Sequence, residues 1–350
     1  MTEIVNDVEQ CVDRAIARVG KQLVIGAPLG LGKPVQLINA FYRRAVADPG
    51  LSLHIYTALC LEVPTPAKGI DGNLSGPIIQ RLFGDYEELA FMAPLRKGTL
   101  PANIQISELY FKAGSMKNVA SAQQNYISSN YTHIARDMFN AGANVMVQLV
   151  AARHTPDGLS VSLSCNPDLA LEMMDKLHAS DRRHITIGQV HDDLPFMQND
   201  AEVGVGAFDL LVSNPQYNKS LFAVPNATVP LQDYATALHA STLVADGGTL
   251  QIGIGALGDA VAHSLILRQR HNRLYREAVQ ALSREKTAVA EDGGPFDQGL
   301  YVSTEMFVNG MLHLIENAVV KRKVYDHLVL QRGINAGLIS SRVDAQLYDF

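Results

Sequence analysis

The chain has 350 residues, of which 47% are hydrophobic and 18% charged, a composition that excludes disorder as the main state. At about 150 residues per domain, the length predicts two domains. Its 29 basic and 35 acidic residues give a formal net charge of −6, and no Lys/Arg run is long enough to reverse this balance locally. We therefore expect neither nucleic acid nor a membrane surface as a partner.

Helical and strand-like periods of apolar residues alternate along the chain, which is typical of βαβ units and a mainly parallel sheet. The predicted fold class is therefore α/β. In chain order, the pattern predicts a helix at 4–18, a strand at 21–25, a helix at 35–46, strands at 51–61 and 104–111, a helix at 132–141, strands at 144–151 and 159–164, a helix at 168–178, a strand at 184–190 and helices at 231–244 and 259–285.

The cysteines and the N-terminal decapeptide favour a reducing, cytoplasmic setting. Cys11, Cys60 and Cys165 are far apart and odd in number, which argues against a disulfide framework and a thiolate zinc site. The first ten residues, MTEIVNDVEQ, are acidic and polar, unlike a signal peptide. No apolar run reaches the roughly 18 residues of a membrane span. We expect no metal and no membrane segment.

A weak internal repeat predicts that the two domains are related. The segments 21–44 and 248–269 each follow a helix and read as strand, glycine loop and helix, with Gly26 and Gly253 at equivalent places. The alternative, that any two βα units look alike, stays open.

A domain boundary is predicted in the loop-rich stretch 214–230, which contains three prolines. The resulting domains are 1–225 and 226–350.

The most specific local motif is the G-x-G-x-x-G segment at 253–258, hereafter the glycine loop, which lies between a predicted strand and a predicted helix. Glycines let a ligand approach the backbone, and N–H groups at a helix start favour an anion or oxyanion. A dinucleotide site would also need a second strand ending in an acidic residue about 20 positions on. Glu277 has that spacing but lies in a charged helical stretch. A dinucleotide-binding oxidoreductase therefore remains one alternative.

The segment 26–34 resembles a phosphate-binding P-loop only in part. Ala27 stands where the first glycine belongs, and Pro34 replaces the Ser/Thr that would hold magnesium, which argues against a nucleoside triphosphate site. The segment can still line a substrate pocket, for which the candidates are Gly30, Gly32 and Lys33. A plain strand-to-helix turn is the alternative.

A lone carboxylate, Glu305, follows a short predicted strand. Its neighbours Val302, Met306 and Phe307 are apolar, and a carboxylate among such residues is poorly solvated, which makes it a better nucleophile or base. We expect it in a partly buried cleft beside the glycine loop. An exposed glutamate at a strand end is the alternative.

Three stretches occur together in one order: GGTLQIGIGALGDAVAHSL (247–265), VSTEMFVNGMLHLIENAV (302–319) and LYDF (347–350). Together they resemble the acetyl-CoA hydrolase/transferase family, the family I CoA-transferases related to 4-hydroxybutyrate CoA-transferase. The resemblance covers most of 205–350 and is faint before that. It implies two related CoA-transferase-like α/β domains, of which the second is incomplete.

The resemblance implies transfer or hydrolysis of small acyl-CoA thioesters through a glutamyl-CoA thioester. Coenzyme A is then a substrate, not a tightly bound cofactor, and the partners are an acyl-CoA and a small carboxylate. Glu305 matches the family's nucleophile, and Gln251 would donate a hydrogen bond during the reaction. The segment matching the family's CoA contacts is Gly253, Ile254, Gly255, Ala256 and Leu257.

The sequence departs from the family pattern at several places. Ser303 replaces a histidine, Gly258 replaces a proline, and Val308-Asn309-Gly310 replaces Ser-Asp-Gly. These departures bear on acceptor specificity more than on the chemistry, since the glutamate and the glycines remain. A CoA-transferase-like module that has lost turnover is a further alternative. From the incomplete second domain we expect either self-association into a homo-oligomer or a poorly packed C-terminal portion, with weak CoA binding and little turnover.

Overall fold

The computed structural model describes residues 2–66, 68–156, 158–167, 169–221, 228–283 and 293–340. The chain divides into two compact units, Met1–Ala223 and Val224–Phe350.

Strands and helices alternate through the first unit. In chain order they are β1 (Glu3–Val5), α1 (Val8–Val19), β2 (Gln22–Leu29), α2 (Val35–Ala47), β3 (Ser52–Ala58), α3 (Ile70–Phe83), α4 (Met92–Lys97), β4 (Ile104–Glu108), α5 (Ala120–Gln124), α6 (Ile134–Asn140), β5 (Val145–Thr155), β6 (Gly158–Ser162), α7 (Ala170–His178), β7 (Ile185–Val190), β8 (Glu202–Gly204) and β9 (Leu210–Val212).

The sheet of this unit has the strand order β1-β9-β7-β5-β2-β3-β4, and every neighbouring pair along that path is parallel. The strands β6 and β8 extend it through antiparallel pairs. The predicted α/β class with a mainly parallel sheet is therefore confirmed. The chain runs from β2 to β3 and β4 on one side and then returns to β5 on the other. The carboxyl ends of β2 and β5 thus flank a switch point, where ligand crevices of open α/β sheets lie.

Different helices cover the two faces of this sheet. The helices α1 and α2 pack on the face that carries Ile25 and Ile55, and α6 and α7 pack on the face that carries Met146. The central strands β5 and β7 are buried on both faces and are accordingly rich in Val and Ile.

The second unit has a smaller core. Its elements are α8 (Leu231–Ser241), β10 (Thr249–Leu250), α9 (Ala256–Arg270), α10 (Asn272–Leu282), β11 (Tyr301–Val302), α11 (Asn309–Glu316) and α12 (Leu328–Asn335). The strands β10 and β11 are parallel, and Leu265, Phe296 and Leu314 lie in the core beside them. Among the described residues, no helix of either unit is both long and apolar enough to cross a bilayer.

Three details differ from the sequence-based predictions. Ile4 lies in β1 and not in the first helix, because residues 3–5 pair with β9. The strand β2 continues to Leu29, so Gly26 lies within a strand whereas Gly253 follows β10, and their predicted equivalence is wrong. The helix predicted at 259–285 is two helices, since His271 leaves the helical conformation at φ −135° and ψ 53°. Residues 284 and 285 of that prediction lie outside the described ranges.

Candidate functional site

Glu305 and the glycine loop are brought together by the pairing of β10 with β11. The Ser303 amide donates to the Leu250 carbonyl at 3.0 Å, which continues the parallel register beyond both strands. One residue further on, the Thr304 hydroxyl donates to the Ile252 carbonyl at 3.1 Å. Glu305 therefore leaves the strand next to the point where the glycine loop begins.

The glycine loop folds back on the first turn of α9. A Cβ at Gly258 would lie 2.2 Å from the Gly253 carbonyl oxygen, and Gly255 has φ +121°, which side chains of L-residues rarely adopt. Glycine is required at both positions for these reasons. No described side chain caps the start of α9 at Ala256, so the N–H groups of its first turn can bind an incoming anion.

The expected poor solvation of Glu305 is wrong for this structure, because its side chain is exposed. The flanking Met306 and Phe307 are 45% and 61% exposed, so they face solvent and do not form an apolar wall around the carboxylate. The predicted donor Gln251 and most of the glycine loop are exposed as well: Gly253, Ile254, Gly255 and Leu257, with Ala256 half-buried. The carboxylate and the loop together form an open surface site.

A close helix contact fixes the segment that follows Glu305. Gly310 lies in α11, where an added Cβ would be 3.1 Å from the Ala262 Cβ of α9. The absence of a side chain thus lets α11 pack tightly on α9. This contact holds the segment that carries Glu305 against α9, the helix that starts at the glycine loop.

The dinucleotide alternative lacks its second strand. The element after α9 is the helix α10, and Glu277 lies within it, paired with Arg273 at 3.1 Å. At about 20 residues after the glycine loop, where ribose recognition requires a strand that ends in an acidic residue, the described chain has a helix instead.

A narrow cleft with a free volume of about 20 Å3, open at its mouth, lies in the first unit at the carboxyl end of β2. Gly30 and Lys33 line it, with Tyr86 and His191 among the facing residues. Gly32 sits behind this lining. Its amide donates to Asn166 Oδ1 at 3.3 Å.

The Lys33 side chain is 3% exposed. Its ammonium donates to the Ala58 and Leu59 carbonyls at the end of β3, the second at 3.1 Å. Burial lowers the pKa of Lys33, and the nearby Cys60 and Glu108 oppose that change. The Lys33 ammonium therefore hydrogen-bonds to the backbone and fixes the residues that form this wall of the cleft. Leu59, which it holds, has φ +47°.

Sequence reasoning missed Glu108 and the role of Cys60. Glu108 ends β4 and is 2% exposed. One carboxylate oxygen accepts the Cys60 amide at 3.3 Å, and the other has no hydrogen-bond partner among the described residues. Burial raises the pKa of Glu108, against the lowering effect of its hydrogen bonds with Cys60 and of nearby Lys33. The signal that could have found Glu108 is topological. Because β3 and β4 are adjacent parallel strands, their carboxyl ends meet at one edge of the sheet, which brings Cys60 and Glu108 together.

The His191-Asp192-Asp193 segment forms a turn. The His191 Nδ1 accepts the Asp193 amide at 3.2 Å, and its Nε2 donates to the Lys219 carbonyl at 2.8 Å. Within the described part of the chain, no group of three or more His, Cys, Asp or Glu side chains is arranged to hold a metal ion.

No protein-family model matches the chain, and a search of curated proteins gives no match. Solved structures do match. RipA from Yersinia pestis superposes with a TM-score of 0.60 at 17% identity, over 91% of this chain and 59% of the RipA chain. This chain therefore shares the RipA fold and spans less than two thirds of RipA's length.

Two weaker structural matches cover the same share of this chain. The 4-hydroxybutyrate CoA-transferase from Porphyromonas gingivalis has a TM-score of 0.49 at 16% identity, over 91% of this chain and 58% of that one. The putative citrate lyase alpha subunit from Streptococcus mutans has a TM-score of 0.49 at 12% identity, over 91% and 55%.

Proposed function

We propose that this chain acts on small acyl-CoA thioesters as a CoA-transferase or acyl-CoA hydrolase, with Glu305 as the nucleophile. The observation that carries the proposal is the Thr304–Ile252 hydrogen bond, which ties the carboxylate-bearing segment to the start of the glycine loop. The sequence resemblance described above supports the same residues.

In the proposed reaction, a Glu305 carboxylate oxygen attacks the thioester carbon and expels the CoA thiolate, which gives an acyl-glutamyl anhydride. The thiolate then attacks the glutamyl carbonyl and releases the acyl group as a carboxylate. A glutamyl-CoA thioester remains. A second carboxylate reverses these steps to complete a transfer, or water hydrolyses the thioester.

The glycine loop supplies hydrogen bonds in this proposal. Backbone amides at Gly255, Ala256 and Leu257 lie at the start of α9, a 15-residue helix, where the helix dipole favours negative charge. They would stabilise the oxyanion that forms on the attacked carbonyl. Gln251 would donate one further hydrogen bond. Coenzyme A itself is a substrate and contacts the exposed loop from Gly253 to Leu257.

For the first unit, we propose that the cleft at Gly30, Gly32 and Lys33 is a pocket for a small substrate group. The supporting observation is its position at the switch point of the sheet. Lys33 would act through the Ala58 and Leu59 carbonyls that it holds, and not by direct contact with the substrate.

Covalent capture tests the proposal. The protein is incubated with acetyl-, propionyl- or succinyl-CoA, reduced with borohydride and mapped by peptide mass spectrometry. We expect a reduced side chain at Glu305 and loss of capture in Glu305→Gln. The matched control, Glu316→Gln, changes another exposed glutamate of the same unit and should retain capture. Undiminished capture by Glu305→Gln would identify a different nucleophile.

The exposure of Glu305 favours a second candidate function, a CoA-binding module without turnover. An exposed carboxylate lacks the desolvation that increases reactivity. Reversible CoA binding by the wild type, with no covalent adduct from any of the three thioesters, would support this second function over the first.

A further inference from the structure

The helix α3 presents its largest apolar side chains to solvent. Its half-buried residues are Gly72, Ser75, Gly76, Ile79 and Phe83, which form the inward face. The outward face carries Ile70, Leu74, Ile78 and Leu82, which are 86%, 72%, 52% and 38% exposed. A surface helix ordinarily turns its apolar stripe inward. The spacing of four residues makes the outward stripe continuous along the helix.

Within the described part of the chain, no residue of α3 is fully buried. The helix also contains Gly72, Gly76 and Pro77, which lower intrinsic helix stability. Short helices depend mainly on the packing of an apolar face for their stability. The outward stripe therefore has no packing partner within the described part of the chain.

The outward stripe is symmetric about position 76. Ile70 and Leu82 lie six residues on either side of it, and Leu74 and Ile78 lie two residues on either side. In an antiparallel pair of α3 helices, Ile70 meets Leu82 of the second copy and Leu74 meets Ile78 of the second copy. The stripe is thus complementary to itself.

The charges of α3 have the same symmetry. Asp71 and Arg81 are its two charged residues, five residues on either side of position 76. At about 100° per residue, they project about 40° to opposite sides of the stripe's midline. Neither forms an ion pair within the described residues, and both are exposed. An antiparallel pair brings Asp71 of each copy level with Arg81 of the other.

We propose that α3 is a self-association surface through which two copies of this chain pair antiparallel about a two-fold axis. A lipid surface is a poorer partner, because interfacial helices are rich in Lys and Arg and α3 balances one Arg with one Asp. A 14-residue helix is about 21 Å long, so the contact falls among small interfaces, below about 1,200 Å2. The dimer should be weak and depend on concentration.

Sedimentation of the full chain over a range of protein concentrations tests the surface. We expect a monomer–dimer equilibrium whose dissociation constant rises at least about tenfold in Leu74→Lys, since a charge then enters the apolar contact. The control Leu274→Lys places the same change on α10, at a leucine that is 53% exposed, and should leave the equilibrium unchanged. A wild type that stays monomeric throughout, or a dimer that Leu74→Lys does not weaken, would overturn the proposal.

Charge reversal tests the antiparallel register. Asp71→Arg and Arg81→Asp each place like charges opposite one another and should each weaken the dimer, whereas the double variant restores the opposite pairs and the wild-type dissociation constant. Failure of the double variant to recover would contradict this register. Co-sedimentation of a monomeric wild type with phosphatidylcholine vesicles, lost in Leu74→Lys, would assign the stripe to a membrane surface instead.

Discussion

A single backbone carbonyl determines which residue the glycine loop accepts at position 258. An added Cβ there would lie 2.2 Å from the Gly253 oxygen, whereas a Cβ at Gly253 would meet nothing within 4 Å. Two glycines of one motif thus have different physical reasons for their presence. Alanine substitutions at Gly258 and Gly253 therefore form a matched pair, one with a steric clash and one without.

We expect Gly258→Ala to lower the free energy of unfolding by about 1–3 kcal/mol through overpacking, despite a gain of up to about 1 kcal/mol in helix propensity. It should also weaken CoA binding, because the loop must open to admit the methyl group. Gly253→Ala should cost under about 1 kcal/mol. Urea unfolding and calorimetric titration with CoA measure both effects. Equal stability of the two variants would contradict the close packing.

The Asp246 carboxylate organises a loop of the second unit. It accepts the amides of Asp297, Gln298 and Gly299 at 2.8–2.9 Å. Burial alone would raise the pKa of Asp246, but these backbone hydrogen bonds outweigh it, and the pKa lies below its ordinary value of 3.8. Because the folded pKa is lowered, the stability that this carboxylate contributes is complete above 3.8. It is lost as the pH falls through the folded value.

Asp246→Asn should therefore be less stable than the wild type at neutral pH, by about 1–2 kcal/mol, and the difference should shrink as the pH falls below 3.8. Thermal unfolding midpoints recorded down this pH series provide the measurement. Asp326→Asn, at an exposed aspartate of the same unit, is the control. A gap between wild type and Asp246→Asn that stays constant with pH would show that the carboxylate's charge is unimportant.

At the scale of elements, the end of β3 is held by a side chain from the segment after β2. The buried ammonium of Lys33 donates to the last carbonyls of that strand, at Ala58 and Leu59. Lys33→Met should destabilise the fold by about 2–4 kcal/mol, because both carbonyls lose a donor and Glu108 loses its neighbouring cation. Lys97→Met, at an exposed lysine of α4, is the control. Chemical denaturation of the two variants gives the comparison, and equal midpoints would contradict this role.

The hydrophobic periods predicted most elements of the first unit but not their order in the sheet. Periodicity reports which residues are buried locally, whereas the return of β5 to the side of β2 is a long-range event. The cluster of Lys33, Cys60 and Glu108 was missed for the same reason, since it forms where three separate segments meet. No local spacing encodes it.

Two other expectations depended on the direction in which apolar residues face. The environment of Glu305 was inferred from apolar neighbours in sequence, but Met306 and Phe307 face solvent. The helix α3 had no prediction, because Gly76 and Pro77 interrupt its pattern and its outward stripe packs on nothing described in the chain. The sequence shows which residues are apolar, but tertiary packing determines whether their side chains face the core or the solvent.

At the scale of the whole molecule, the predicted domains 1–225 and 226–350 remain to be tested by separate expression. Among the described residues, three buried hydrophobic clusters lie in the first unit and a fourth lies in the second. We expect residues 1–223 alone to unfold in one cooperative urea transition. A fragment ending at residue 190, which lacks β9, should aggregate. An insoluble 1–223 fragment beside a stable full chain would show that the first unit needs the second.

The pairing of β1 with β9 has a consequence for biosynthesis. Glu3 is made well before its partner in the sheet, Leu210. At about 5–20 residues per second, a ribosome needs roughly 10–40 s to add the intervening chain. Throughout that interval the strand β1 has no partner, and once β7 has been made its edge is open as well, the kind of edge that pairs with other chains. Chaperone demand during translation should therefore be greatest just before Val212 emerges.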